Sequence, residues 1–130
     1  MLREGRAMIA EHPLTGVGPN MVERVYAQYR DPLAVEKVNP HLHNVPMQIA
    51  AERGLPALAI WIWFLIVAAT DLWRKLASSR HKFLAAGGLA AIAGMLGAGF
   101  FEHNFGDSEF LMLFLVMLTL PFAADRTDLP

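Results

Sequence analysis

The sequence predicts an all-α membrane protein, with three transmembrane helices preceded by a helical loop segment outside the membrane. Three observations carry this. Residues 55–130 contain three long uncharged apolar runs, basic residues cluster in one of the two connections between them, and residues 1–54 are evenly charged and patterned for short helices. Of the 130 residues, 55% are hydrophobic and 18% charged, against ~45–50% and ~25% in an average soluble protein. A net charge of −1 leaves no basic footprint for nucleic acid.

The segment 1–54 balances Arg3, Arg6, Arg24, Arg30, Lys37 and Arg53 against Glu4, Glu11, Glu23, Asp31, Glu36 and Glu52. Residues 1–11 suit a short helix with Met8 and Ile9 as its apolar contacts. The stretch 13–19, with two Gly and two Pro, breaks it into a fixed turn. Asn20, followed three residues later by Glu23, predicts a capped second helix. Val22, Val25, Tyr26 and Tyr29 then fall on one helical face. Asp31-Pro32 ends that helix, and 31–42 reads as a loop. Asn44 and Pro46 suit the start of a third helix, which Gly54 closes. Pro56 opens the first span.

The apolar runs, uncharged but for Asp71, place transmembrane helices at about 55–73, 83–101 and 110–124. At 1.5 Å per residue the first two are about 28 Å long, close to a hydrocarbon core of ~30 Å. The third run is shorter and needs polar ends or a thinner bilayer. Arg74, Lys75, Arg80 and Lys82 crowd the connection 74–82, whereas the turn 102–109 has no basic residue. The positive-inside rule therefore puts 74–82 in the cytoplasm and both 102–109 and 1–54 outside. In a bacterium this describes a multi-pass protein of the inner membrane with a periplasmic loop. The absence of cysteine is compatible with that compartment. Asp71 is expected to snorkel at the cytoplasmic end of its span. Gly87, Ala91, Gly94 and Ala98 form a small-residue stripe expected to pack against a neighbouring helix. No apolar stretch follows Arg3 and Arg6 as it would in a signal peptide. A neutral external segment then calls for further spans ahead of Met1, and we expect the chain to be the C-terminal part of a larger membrane protein.

Few residues can carry chemistry. His43 sits where a loop meets a helix N-terminus, whose dipole favours the neutral imidazole that a general base needs; alternatively it packs or caps. His41-x-His43 is half of a metal pair that His103 or an acid would have to complete, and two histidines alone assign no metal. Glu102, His103, Asp107 and Glu109 form a polar turn, which solvation alone also explains. There is no Gly-rich phosphate loop, nucleophile elbow or paired-carboxylate motif.

Three stretches together narrow these alternatives. His12-Pro13-Leu14-Thr15-Gly16-Val17-Gly18-Pro19-Asn20 resembles the turn in the external loop of the O-antigen ligase and O-antigen polymerase superfamily. His43-Asn44, followed at the right spacing by Gly54 and a span, is similar to that family's His-Asn signature. Glu102-His103-Asn104-Phe105-Gly106-Asp107 resembles the polar turn between its last spans. The resemblance implies a metal-independent, cofactor-free glycosyltransferase of the GT-C type. Such enzymes move a glycan from undecaprenyl diphosphate to a lipid A core sugar or a growing polysaccharide at the periplasmic face, with both lipid-linked substrates held among membrane lipids. It implies His43 as the group that deprotonates the acceptor and arginines that hold the diphosphate. We expect Asn44, Arg3, Arg6, His103 and Asp107 to be substrate-binding residues, Arg3 and Arg6 by their place near the right region rather than by alignment with the family's arginines. Arginine suits the diphosphate because its fork matches the phosphate oxygens. The chain departs from the family in having three spans rather than many, and in Val45-Pro46 after His-Asn. A contrasting possibility is a non-catalytic truncated remnant or small accessory membrane protein.

Overall fold

The structure is a computed structural model that describes residues 2–30, 39–102 and 106–127. Every regular element among them is a helix: α1 (Leu2–Glu11), α2 (Val22–Tyr29), α3 (Val45–Ser78), α4 (Lys82–Gly99) and α5 (Ser108–Thr127). They divide into two compact units. The first takes in the described residues up to Trp61 together with 99–102, and the second takes in 62–98 and those from 106 onward.

In the first unit α1 buries Glu4 and Gly5 and, one turn on, Met8. The expected face of α2 is the one covered: Val22 and Tyr26 are buried, and Val25 and Tyr29 pack beside them. Met8, Val22, Tyr26, Leu42 and Ala51 make the core, joined by Ile9, Val17 and Met47. Position 5 is closely covered: a Cβ there would come within 2.5 Å of the Met47 sulfur, so the Met47 side chain would have to shift. At the ends of the two helices Tyr29 Oη donates to Glu11 Oε2 at 2.7 Å. That bond, with partial burial and the Glu11 charge, raises the Tyr29 pKa.

Asn20 does not cap α2. The N-cap is Met21, with no side-chain bond, and Asn20 itself lies at φ 56. Asparagine tolerates this left-handed conformation better than most residues, so it serves the turn out of 13–19 rather than the helix start. The proposed loop 31–42 falls mostly outside the described residues; within it, Asn39 and Leu42 are buried.

The break in α3 explains the Gly-Pro turn before it. Pro56 has no N–H, so the Glu52 carbonyl lacks its helical donor. Gly54, at φ 81 and ψ 169, interrupts the helix and frees the Ala51 carbonyl and the Leu55 N–H. The turn satisfies all three groups. Val17 N–H donates to Ala51 O at 2.8 Å, Gly18 N–H to Glu52 O at 3.0 Å, and Leu55 N–H to Pro13 O at 2.8 Å. The approach needs glycine on both sides: a Cβ on Gly16 would lie 2.2 Å from the Glu52 carbonyl carbon, and one on Gly54 would lie 2.2 Å from Leu14 O. Both positions also have positive φ.

α3, α4 and α5 are each long and apolar enough to cross a membrane. α5 is 20 residues long; its uncharged run is extended by Ser108 and Glu109 at one end and Asp125 and Arg126 at the other. Large apolar side chains such as Trp63, Ile66, Phe83 and Leu113 are exposed, as a lipid-facing surface requires. The second unit has a close helix approach at Gly88, where a Cβ would meet Leu72 Cδ1 at 2.9 Å and the Met117 carbonyl oxygen at 3.1 Å. Pro121 deprives that carbonyl of its helical donor, which leaves it facing the bare Gly88 backbone. The expected stripe is therefore only partly a packing line. Gly87 contacts Met117, but a Cβ on Gly94 would meet nothing within 4 Å, and Gly94 instead borders an apolar cleft of about 210 Å³ with Ala91, Phe110 and Phe114. Asp71 pairs with Arg74 at 3.3 Å. Asp125 accepts from Ser79 Oγ at 2.6 Å and pairs with Lys75, which also lies over the Phe122 ring. These contacts tie the ends of α3 and α5 together.

Candidate functional site

The start of α3 builds the site. Asn44 caps the helix as expected: its Oδ1 accepts the Met47 N–H at 2.9 Å, and its carbonyl accepts the Gln48 N–H at 2.8 Å. His43 immediately precedes this cap in the left-handed conformation, at φ 50. For a residue with a large side chain that conformation costs of order 1–3 kcal/mol and persists only where its surroundings over-determine it.

A buried polar chain supplies that restraint. Gln48 Oε1 accepts the Leu42 N–H at 2.8 Å, while Gln48 Nε2 donates to Glu52 Oε1 at 2.8 Å. Arg53 bonds the other Glu52 oxygen at 3.2 Å. Glu52 is only 3% exposed, and these two donors offset the cost of burying its carboxylate. The residue before His43 is thus anchored, through Gln48, to the turn of α3 next to the Gly54 break. Gln48 and Glu52 were not singled out from the sequence, although a polar pair at i, i+4 among Val45, Ile49, Ala50 and Ala51 is a signal of a buried network.

The segment 99–102 completes the arrangement. Asn44 Nδ2 donates to the Phe100 carbonyl at 3.3 Å. His43 Nδ1 lies 3.0 Å from Glu102 Oε1, and His41 Nε2 lies 3.6 Å from the same oxygen. The two imidazole rings are 4.6 Å apart and tilted by 56°. A carboxylate only accepts, so the short contact places a proton on His43 Nδ1, and in the neutral imidazole Nε2 then keeps the lone pair. The site faces solvent, with the His43 side chain 43% and the Glu102 side chain 60% exposed. One nitrogen from each of His41 and His43 and one oxygen of Glu102 all lie within 4.8 Å of one another. Glu102 is thus an acid placed where one would complete the histidine pair.

Residues 1–62 match the family model for O-antigen ligase. The match therefore spans the 13–19 turn, His43, Asn44, the Gly54 break and the opening of the first apolar span, which include two of the three stretches where the sequence itself resembles that family; the third, 102–107, lies outside it. No curated protein and no solved structure matches the chain. With three membrane-spanning helices beside this ligase-like segment, the chain is a multi-pass membrane protein.

The other expected O-antigen ligase-type site residues are placed as follows. Arg3 and Arg6 lie on the exposed face of α1, in the same unit as His43. Asp107 belongs to the second unit, where its side chain accepts the Glu109 N–H at 3.0 Å and its carbonyl accepts the Leu111 N–H, starting α5. His103 lies outside the described residues.

Proposed function

We propose that this chain carries the acceptor-activating centre of an O-antigen ligase-like glycosyltransferase of the GT-C type. It sits in a bacterial inner membrane with its His43 loop on the periplasmic side. The donor is a glycan on undecaprenyl diphosphate, and the acceptor is a hydroxyl of a lipid A core sugar or of a growing polysaccharide. The observation that carries this reading is the His43–Glu102 contact. With Nδ1 bonded to the carboxylate, Nε2 points its lone pair away from Glu102 and takes the acceptor's proton as the hydroxyl oxygen attacks the anomeric carbon. The bond from that carbon to the diphosphate breaks, and undecaprenyl diphosphate leaves with the electron pair. Glu102 holds the ring and stabilises the imidazolium that forms, as the carboxylate does in a catalytic triad. Asn44 fixes the direction of the loop, while Arg3 and Arg6 are cations for the diphosphate.

His43→Asn tests this well, because asparagine keeps the left-handed backbone and removes the base. In cells that depend on the protein, glycan transfer read from the polysaccharide ladder falls by roughly 10²–10⁴-fold, while membrane insertion is unchanged. Full transfer in the variant overturns the assignment.

A further inference from the structure

His41 is unused by the chemistry above, yet it converges with His43 on one oxygen of Glu102. We propose that His41, His43 and Glu102 form a binding site for a zinc-class divalent ion, and that an ion bound there silences His43. The silencing rests on the base role proposed for His43; the binding does not. In a tetrahedral zinc site with bonds of ~2.0–2.2 Å, neighbouring ligand atoms lie about 3.3 Å apart. The two separations to Glu102, 3.0 and 3.6 Å, straddle that value, and all three ligand atoms fall within 4.8 Å of one another. Two imidazole nitrogens and one carboxylate oxygen form the donor set of His₂Glu zinc sites and leave a fourth position for water. Magnesium and calcium prefer oxygen ligands alone, so the site selects against them. The ligands are also accessible, since both ends of the His43–Glu102 pair are partly exposed.

The consequence for His43 follows from its two nitrogens. Coordination through Nδ1 takes the lone pair that a proton now occupies, so the ring must hold its single proton on Nε2. The tautomer changes with no net gain or loss of protons. Nε2 then has nothing with which to accept the hydroxyl proton, and the Glu102 oxygen that held the ring now binds the ion. Zinc and acceptor activation are therefore mutually exclusive.

The test uses the full chain in detergent with Co²⁺ as a spectroscopic probe, followed by displacement with Zn²⁺. One Co²⁺ per chain with the absorption of a tetrahedral N/O site is expected, with affinity at least about tenfold weaker in His41→Ala and in Glu102→Gln. Equal affinity in both variants, or no stoichiometric binding, overturns the metal site. In membranes of cells making the protein, Zn²⁺ is expected to inhibit transfer by the natural chain and to leave the His41→Ala variant active. Inhibition that is equal in His41→Ala overturns the silencing. A His43→Asn variant that still transfers would instead remove the base role and leave the cobalt spectrum standing, so the two failures are distinguishable.

Discussion

The two units of this chain are held by different kinds of contact. In the first, which carries His43, shape depends on particular backbone atoms: three hydrogen bonds close the 13–18 turn onto the break at Gly54, and glycines at 16 and 54 allow the approach. In the second, apolar helices pack on one another and leave many large side chains exposed, with a tight backbone approach at Gly88. The first arrangement is specific and brittle. The second is tolerant, because lipid-facing positions ask only for apolar character. A membrane protein that positions a reactive loop needs the first kind near the loop and can build the rest from the second.

The sharpest way to break this contrast is at the glycines. Gly16→Ala or Gly54→Ala should cost about 3–5 kcal/mol, because each adds backbone overlap to an unfavourable positive φ. Gly94→Ala, which meets nothing within 4 Å, should stay within about 0.5 kcal/mol. Thermal unfolding of the detergent-solubilised chain, with proteolysis of the first unit as a second readout, separates the two. Equal effects would remove the distinction between the units.

Next in size is the buried chain behind His43. Gln48→Leu removes both partners' bonds and leaves the Leu42 N–H and the Glu52 carboxylate short of a donor or acceptor in the interior. A loss of about 2–3 kcal/mol follows, and the His43 loop is released from its anchor. Transfer measured at matched protein level should then fall. If the variant is as stable and active as the parent, the chain does not position His43. In the second unit Gly88→Ala should cost about 1–2 kcal/mol, less than the glycines of the first, since the Leu72 side chain can give way although the Met117 carbonyl cannot.

Legibility in the sequence follows the same division. The three apolar helices are readable because composition and length alone decide them, and α5 exceeds its uncharged run only by polar residues at its ends. Within the first unit, local signals are readable: the apolar face of α2, the Asn44 cap and the Gly54 break each depend on residues within one or two turns. Contacts made across sequence distance are not. Glu102 reaches His43 from 59 residues away, and although its polar turn resembles the family's, nothing local says that its carboxylate meets this histidine. Asn20 carries the same preference for caps and for left-handed turns, and the path of the chain after Pro19 chooses the turn. The small-residue stripe misleads for a related reason. Which glycine is needed depends on the facing helix, and Pro121 exposes a carbonyl opposite Gly88 rather than Gly94.

The smallest effect belongs to the pair that joins α1 and α2. Tyr29→Phe removes an exposed bond to Glu11 and should cost about 1 kcal/mol or less. Its pH dependence is more informative than its size. The Tyr29 pKa is raised above its ordinary 10.0, chiefly by the hydrogen bond to Glu11, so the folded state favours the protonated phenol more than the unfolded chain does. The contribution is therefore complete below about pH 10 and is lost as pH rises through the higher folded value. The stability difference between the parent chain and Tyr29→Phe should be constant from pH 7 to 9 and shrink above pH 10. A difference that persists undiminished into strong alkali would mean that the hydroxyl acts through packing, and that the two helices are joined by their apolar faces alone.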